Sequence, residues 1–375
     1  MPNRALINHD SILQGGRYRG VSIDGKDPEL VLRWYRFMLR LRMCEEAIMK
    51  EYHIADEMRC PTHFCLGQEA VPAALSTLIT SEDYLFSHHR SHGYYLAKGA
   101  PLQALLAELY GRETGANGGL AGSQDISYAA GRFHSGAILA GATGIAVGAA
   151  MALQLKRDSA IAVTGFGEGA IDEGLFWEAL SFASLHTLPL VFLCENNRYA
   201  TYSPLRKRQP ADNFSERVAS FKVKTWTLFG NDVVAVHQAL EEAIREALGG
   251  RGPCFVETFT YRWNGHVGPE DDDHLGYRPS EELAFWKANC PILLLEEPLL
   301  AAGWLTPAKK DAMLNEFRGE LKEAFAFAKR SAFPRALPWH DLNYSLTSPV
   351  ADRLLVDAES TPFNHDQVDA IPEPY

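Results

Sequence analysis

The sequence predicts an α/β fold: a doubly wound, mainly parallel sheet flanked by helices. Three observations carry this. Short apolar runs end at glycine, asparagine or aromatic residues: SAIAVTGF from Ser159, LPLVFLCEN from Leu188 and PCFVETFTYRW from Pro253. The first two are continuously apolar rather than alternating, as strands buried on both faces require. Helical patterns at 172–186 and 232–248 follow the first two runs, and this alternation builds parallel sheets.

The remaining elements follow in order. Residues 1–27 read as an irregular arm, 28–337 as the α/β domain and 338–375 as a Pro- and acid-rich extension. From Pro28 to about Tyr52 apolar residues recur every three or four positions, the period of a helix with one buried face. THFCLGQEAVPAALSTLI, from Thr62, reads as a turn and then a helix. PLQALLAELYGR, from Pro101, is a helix with proline in its first turn, where no amide N–H is needed. Residues 113–135 are rich in Gly and Ser and read as loop. GATGIAVGAAMAL, at 141–153, puts Gly144, Gly148 and Ala152 on one helix face. Another backbone can approach closely there, and a subunit contact is expected.

Composition narrows the function classes. The chain has 375 residues, 46% hydrophobic and 22% charged, enough for a large core. Its formal charge is −11 with no Lys/Arg-rich block, which argues against nucleic acid and anionic membrane as partners. No apolar run approaches the ~18 residues of a spanning helix. The opening MPNRALINHDSILQGG lacks the apolar core of a secretory signal. Six cysteines form no CxxC pair. The expectation is a cytoplasmic protein with reduced thiols.

The chemistry concentrates between Gly167 and Ala200, GEGAIDEGLFWEALSFASLHTLPLVFLCENNRYA. A strand ending in glycines ahead of a helix offers backbone N–H groups to an anion. Glu168 can supply a carboxylate oxygen, and Asn197 an amide oxygen from the end of the next strand. Such oxygens suit Mg²⁺ or Ca²⁺, which can share the oxygens of a diphosphate. The competing reading takes GFGEGA, at 165–170, as a dinucleotide turn with Glu195 as the ribose-binding acid. That reading aims the charge of Glu168 at a pyrophosphate and leaves the paired asparagines without a task.

The GEG…NN block resembles the thiamine diphosphate signature GDG…NN. HFCLGQEA at 63–70, SHHRSHGYYLAKG at 87–99 and YRWNGHVG at 261–268 widen the resemblance. From about residue 30 to 292 the chain resembles the α subunit of the two-subunit, thiamine diphosphate-dependent 2-oxo acid dehydrogenase E1 component. YSPLRKRQP at 202–210 and HVGPEDDDHLGYRPSEEL from His266 point to a divergent bacterial branch. The resemblance implies thiamine diphosphate and Mg²⁺, with Ca²⁺ or Mn²⁺ as alternatives. Its metal ligands map to Glu168, Asn197 and the backbone oxygen of Tyr199. Its cofactor-binding residues map to His89, Arg90, Ala137, Leu139, Gly167, Glu168, Gly169, Ala170, Asn197, Tyr199 and His266. Arg90 suits a phosphate because its fork donates two parallel charge-assisted bonds. Leu139 would be the bulky residue that bends the cofactor. His266 and His63 would be the catalytic histidines near its reactive carbon.

Two positions depart from the pattern. His89 stands where the family has tyrosine, and Glu168 where it has aspartate, one methylene shorter. The resemblance also implies a β subunit carrying the pyrimidine-binding domain and an activating glutamate, in an α2β2 heterotetramer. The implied reaction is decarboxylation of a small 2-oxo acid, with the acyl unit passed to a lipoyl E2 protein. Acyloin or ketol transfer to an aldehyde stays open, as does a catalytically idle structural subunit. The run Glu270–Asp273 reads as a solvated loop, with a docking or gating loop as the alternative.

Overall fold

The computed structural model describes residues 9–54, 57–58 and 60–335, together with Arg353 and Val356. The chain divides into a unit spanning Met1–Phe333 and a unit spanning Pro334–Tyr375. Apart from Arg353 and Val356, the extension expected at 338–375 lies outside the described residues.

The strands are β1 (Tyr84–Ser87), β2 (Ser127–Tyr128), β3 (Phe133–Ser135), β4 (Ala162–Gly167), β5 (Leu190–Asn196), β6 (Tyr199–Ala200), β7 (Ser203–Pro204), β8 (Lys224–Phe229) and β9 (Cys254–Phe259). Seven of them form one sheet in the order β2-β3-β1-β4-β5-β9-β8, and β6 pairs with β7. Every pairing in the large sheet is parallel except β2 with β3.

The apolar runs become central strands because both faces are covered. Successive side chains of a strand point to opposite faces. Val163, Val191, Leu193 and Val256 accordingly enter one core, shared with residues of the helices Pro28–Ile54, Leu102–Leu109 and Val233–Glu246. Ala162, Phe166, Phe192, Cys194 and Phe255 enter a second core, shared with the helices Gly141–Lys156 and Gly174–Leu185. Phe176 fixes the latter helix to the sheet. It is fully buried, with ring centroids 5.4 Å from Phe166, 5.9 Å from Phe192 and 6.3 Å from Phe255.

Several elements differ from the sequence reading. The Gly/Ser-rich stretch is not all loop: β2 and β3 lie inside it, and β3 pairs in parallel with β1. Strands of two and three residues are too short to show a period. The arm contains a short helix, His9–Gln14. The helix expected from Asp172 is preceded by a tight turn over Glu168–Asp172 and begins at Gly174. Asp232 caps the next helix, its side chain accepting from the N–H groups of Val234 and Ala235. The small-residue helix is not buried all round. Ala146, Ala150 and Leu153 face the core, while Gly148 and Ala152 are exposed beside exposed Ile145 and Leu155. No helix among the described residues is long and apolar enough to cross a membrane.

The topology builds a crevice. From β1 the chain crosses to β3 on one side; from β4 it crosses to β5 on the other. β1 and β4 are neighbours whose outgoing connections diverge, and ligands of open α/β sheets bind at such a point. Truncating the clamp that orders this edge should be costly. Phe176→Ala is expected to destabilise the chain by ~3–5 kcal/mol, read as a lower denaturant midpoint.

Candidate cofactor site

The carboxyl ends of β1, β4, β5 and β9 deliver the site. A cavity of about 240 Å³ is lined by His63, His88, His89, Arg90, Gln124, Ala137, Leu139, Gly167, Glu168, Gly169, Asn197, Tyr199, Ala200, Thr201, Arg262 and His266. All but one of the sequence-predicted residues stand on this wall. Ala170 does not reach it: the tight turn rotates its side chain into the core with Phe166 and Phe176.

The glycine turn is shaped for close approach. A Cβ at Gly167 would meet nothing within 4 Å, so its backbone is open. A Cβ at Gly169 would lie 3.1 Å from Ala200, so that glycine lets the turn pack on β6. Glu168, only 1% exposed, forms an ion pair with Arg208 at 2.5 Å. Burial raises its carboxyl above the usual range, against the pull of Arg208.

The paired asparagines shape the turn that follows β5. The Asn196 side-chain oxygen accepts from the N–H of Arg198 at 3.1 Å, and that of Asn197 from the N–H of Tyr199 at 3.0 Å. Arg198 sits in the left-handed region at φ +69°. Asn196 also donates to Glu257 at 2.8 Å, which turns it into the core. Asn197 lines the cavity, and an amide oxygen has a second lone pair to offer there.

Two buried guanidiniums, Arg90 and Arg262, line the same cavity. Arg90 is 4% exposed and donates to the backbone oxygens of Phe64 and His266, tying two loops together. Burial and the neighbouring Arg262 guanidinium push it down to about 10, the sign of a cation lacking a full counter-charge. Arg262 is 1% exposed, and its buried Nε has no partner among the described residues. These buried donors suit an anion, and the oxygens of Glu168 and Asn197 suit a hard cation bound to it. The residues present therefore fit a diphosphate with a divalent metal.

Three of the four imidazoles on this wall cluster together. The ring centroids of His63 lie 4.5 Å from His89 and 4.8 Å from His266. Burial first, then the Arg90 guanidinium, holds His63 down at about 2 and His266 at about 4; burial also holds His89 well below its usual range. All three are neutral near pH 7. Arg262 donates to His266 Nδ1 at 3.1 Å. A guanidinium cannot accept a hydrogen bond, so His266 carries its proton on Nε2 and is a donor there. Three ligand nitrogens within 4.8 Å of one another could suit a soft metal, but this tautomer opposes coordination through Nε2 of His266.

Geometry bears on two other readings. Glu195 is buried and accepts from Tyr94 Oη at 2.7 Å, with His88 Nε2 at 3.5 Å. Tyr94 reaches it across Gly165, where a Cβ would lie 2.8 Å from the phenol ring. Its carboxylate is held within the protein rather than presented to a ribose. The acidic run at 270–273 is not wholly solvated. Asp272 is buried, bonded to Arg278 at 2.8 Å and accepting from Tyr277 Oη at 2.5 Å, and it anchors the loop that carries His266.

Sequence reasoning missed His88, Gln124, Ala200, Thr201, Arg262 and Arg208. His88, Ala200, Arg208 and Arg262 stand inside motifs already singled out. Gln124 Nε2 lies 3.2 Å from His63 Nδ1, but it comes from the Gly/Ser stretch and carries no local signal.

A dehydrogenase E1 component profile matches residues 35–336. The chain belongs to the dehydrogenase E1 component family. It is similar to the α subunit of pyruvate dehydrogenase E1 from Zymomonas mobilis, 33% identical over 88% of this chain and 91% of the relative. It is 33% identical to the α subunit of acetoin:2,6-dichlorophenolindophenol oxidoreductase from Bacillus subtilis, over 68% of this chain and 75% of the relative. The α subunit of 2-oxoisovalerate dehydrogenase from the same organism is 32% identical over 75% of this chain and 84% of the relative. The protein is thus an E1 α-type dehydrogenase chain, in a family that implies thiamine diphosphate, a divalent metal and a β subunit.

The histidines give the E1 α-type chain a defined acid response. His63 and His266 bind protons less readily folded than unfolded. Folding therefore bears no penalty from them well above pH 6.5, and stability falls as pH drops from 6.5 toward 4. Denaturation midpoints should decline across this window in the full chain, and the slope should shrink in His63→Asn/His266→Asn.

Proposed function

We propose that this chain, with a β partner, binds thiamine diphosphate and Mg²⁺ (or Ca²⁺ or Mn²⁺) and decarboxylates a 2-oxo acid, passing the acyl unit to a lipoyl E2 protein. The observation that carries this is the meeting of the Gly167–Gly169 turn, Asn197, Arg90 and His266 around one crevice at the sheet's carboxyl edge. Arg90, His89 and Arg262 hold the diphosphate. Glu168, Asn197 and the Tyr199 carbonyl hold the metal. Leu139 supports the middle of the cofactor. When bound, the cofactor supplies an electron sink for the carbanion that forms as CO2 leaves.

The chain's own part in turnover falls to the neutral histidines. His266, held by Arg262, points an N–H donor at charge that develops on the substrate oxygen. His63, beside it, excludes water and offers a second imidazole. Glu168 is the one carboxylate on the cavity wall among the described residues, and it is taken up by Arg208 and by the metal role. The activating glutamate is therefore assigned to the β partner. The open face of the helix Gly141–Lys156, with Ile145 and Leu155 exposed, supports an assembled α2β2 state.

The reading is tested by co-purifying the chain with its β partner and assaying 2-oxo acids against two acceptors. Reductive acylation of a lipoyl domain supports it; condensation with an aldehyde alone would make the enzyme an acyloin or ketol transferase. No turnover despite cofactor binding would leave a structural subunit.

Two outcomes are expected. The isolated chain should bind thiamine diphosphate much more weakly than the assembled pair, measured by calorimetry, because it holds one half of the site. His266→Ala should lower turnover by ~100- to 10,000-fold while changing cofactor affinity little. Steady-state rates and cofactor titrations on the assembled variant check both limbs.

A further inference from the structure

Glu168 meets a second structural demand besides any metal. Arg208 reaches it from the turn after β7 and bridges two carboxylates, Glu168 through Nη2 and Asp172 through Nη1. The guanidinium is held in place: its Nε donates to the Ser203 carbonyl at 3.2 Å. Gln209 donates to the other oxygen of Asp172 and accepts from Arg217 at 2.8 Å. Arg217 in turn lies 4.3 Å over the ring of Trp177. The Arg208 side chain is 13% exposed and that of Glu168 1%, whereas Asp172 is 27% exposed. The deep carboxylate and the shallow one share a single cation.

We propose that Arg208 is a built-in counter-cation for Glu168, which a divalent metal displaces, with Asp172 retaining the guanidinium as Glu168 turns to the metal. This rests on the cofactor reading above. Arg208 holds Oε1 of Glu168, and a metal ion on the same carboxylate would stand within a few ångströms of the guanidinium, where like charges at low dielectric repel strongly, so one displaces the other. A buried carboxylate stripped of its cation is costly, so Glu168 needs a counter-cation whenever no metal neutralises it. Asp172 makes the exchange possible, because Arg208 can release one partner without losing its charge neutralisation. The device gives the longer acid a role: glutamate spans the gap to Arg208, and aspartate, one methylene shorter, would withdraw from it.

Mn²⁺ binding to the chain assembled with its β partner, followed by electron paramagnetic resonance with and without inorganic diphosphate, tests the exchange directly. Arg208→Gln is expected to tighten Mn²⁺ by roughly tenfold or more, the worth of one charge-assisted bond. Glu168→Asp should shift affinity the same way. Asp172→Asn should weaken Mn²⁺ by a similar factor, since Arg208 then has no alternative partner. In a Glu168→Gln background both the Arg208 and the Asp172 effects should vanish. Unchanged or weaker Mn²⁺ binding in Arg208→Gln, in a variant with a wild-type melting profile, overturns the exchange while leaving the cofactor reading intact. An assembled pair with the wild-type chain that takes up no Mn²⁺ under either condition refutes the cofactor reading, and the exchange with it.

Discussion

Everything at this site depends on the parallel register of β1, β4, β5 and β9. The register aligns Phe86 with Thr164, Gly167 with Glu195 and Asn196 with Phe259, so four strands finish along one edge. Segments that are far apart in the chain are therefore delivered to one crevice, and the divergence of the connections after β1 and β4 keeps it from being filled. The register holds because both sheet faces are packed; a slip of one residue would exchange the two cores. Glycine is required at a few points of that edge. Gly165 gives passage to Tyr94, and Gly169 allows the turn to lie against β6.

Desolvation sets the chemistry within the crevice. Burial makes the imidazoles neutral and makes the Arg90 guanidinium less basic than in water. Charge is neutralised where the protein supplies carboxylates, as at Arg208 with Glu168 or Arg278 with Asp272. It is left uncompensated where Arg90 meets backbone carbonyls. That asymmetry distinguishes a structural ion pair from donors suited to an anion. Within the acidic loop, Asp272 alone is buried and ties the loop to Arg278, while Glu270, Asp271 and Asp273 are exposed.

Motif positions serve structure and site together. The two asparagines form the turn through their side-chain oxygens, and Asn197 still faces the crevice. Shaping the turn and facing a metal are compatible for Asn197, because an amide oxygen has two lone pairs. The helix Gly141–Lys156 shows the same economy: one face completes the core, and its small-residue face stays open.

The sequence by itself determined the layer architecture, because continuous apolar runs and amphipathic helices leave few ways to bury both. It also marked most of the crevice wall, because glycine turns, paired asparagines and Arg–His motifs are local signals. It did not reveal β2 and β3, whose two and three residues pair only because β1 offers an edge. Nor did it reveal Gln124 at His63, or Arg208 at Glu168, since those partners are brought together by the fold across 61 and 40 positions. Protonation was likewise decided by tertiary structure. The tautomer of His266 follows from where Arg262 lies, and the neutrality of the three imidazoles follows from burial beside two guanidiniums. Charge state depends on solvent and neighbours in space, and neither is written in the order of residues.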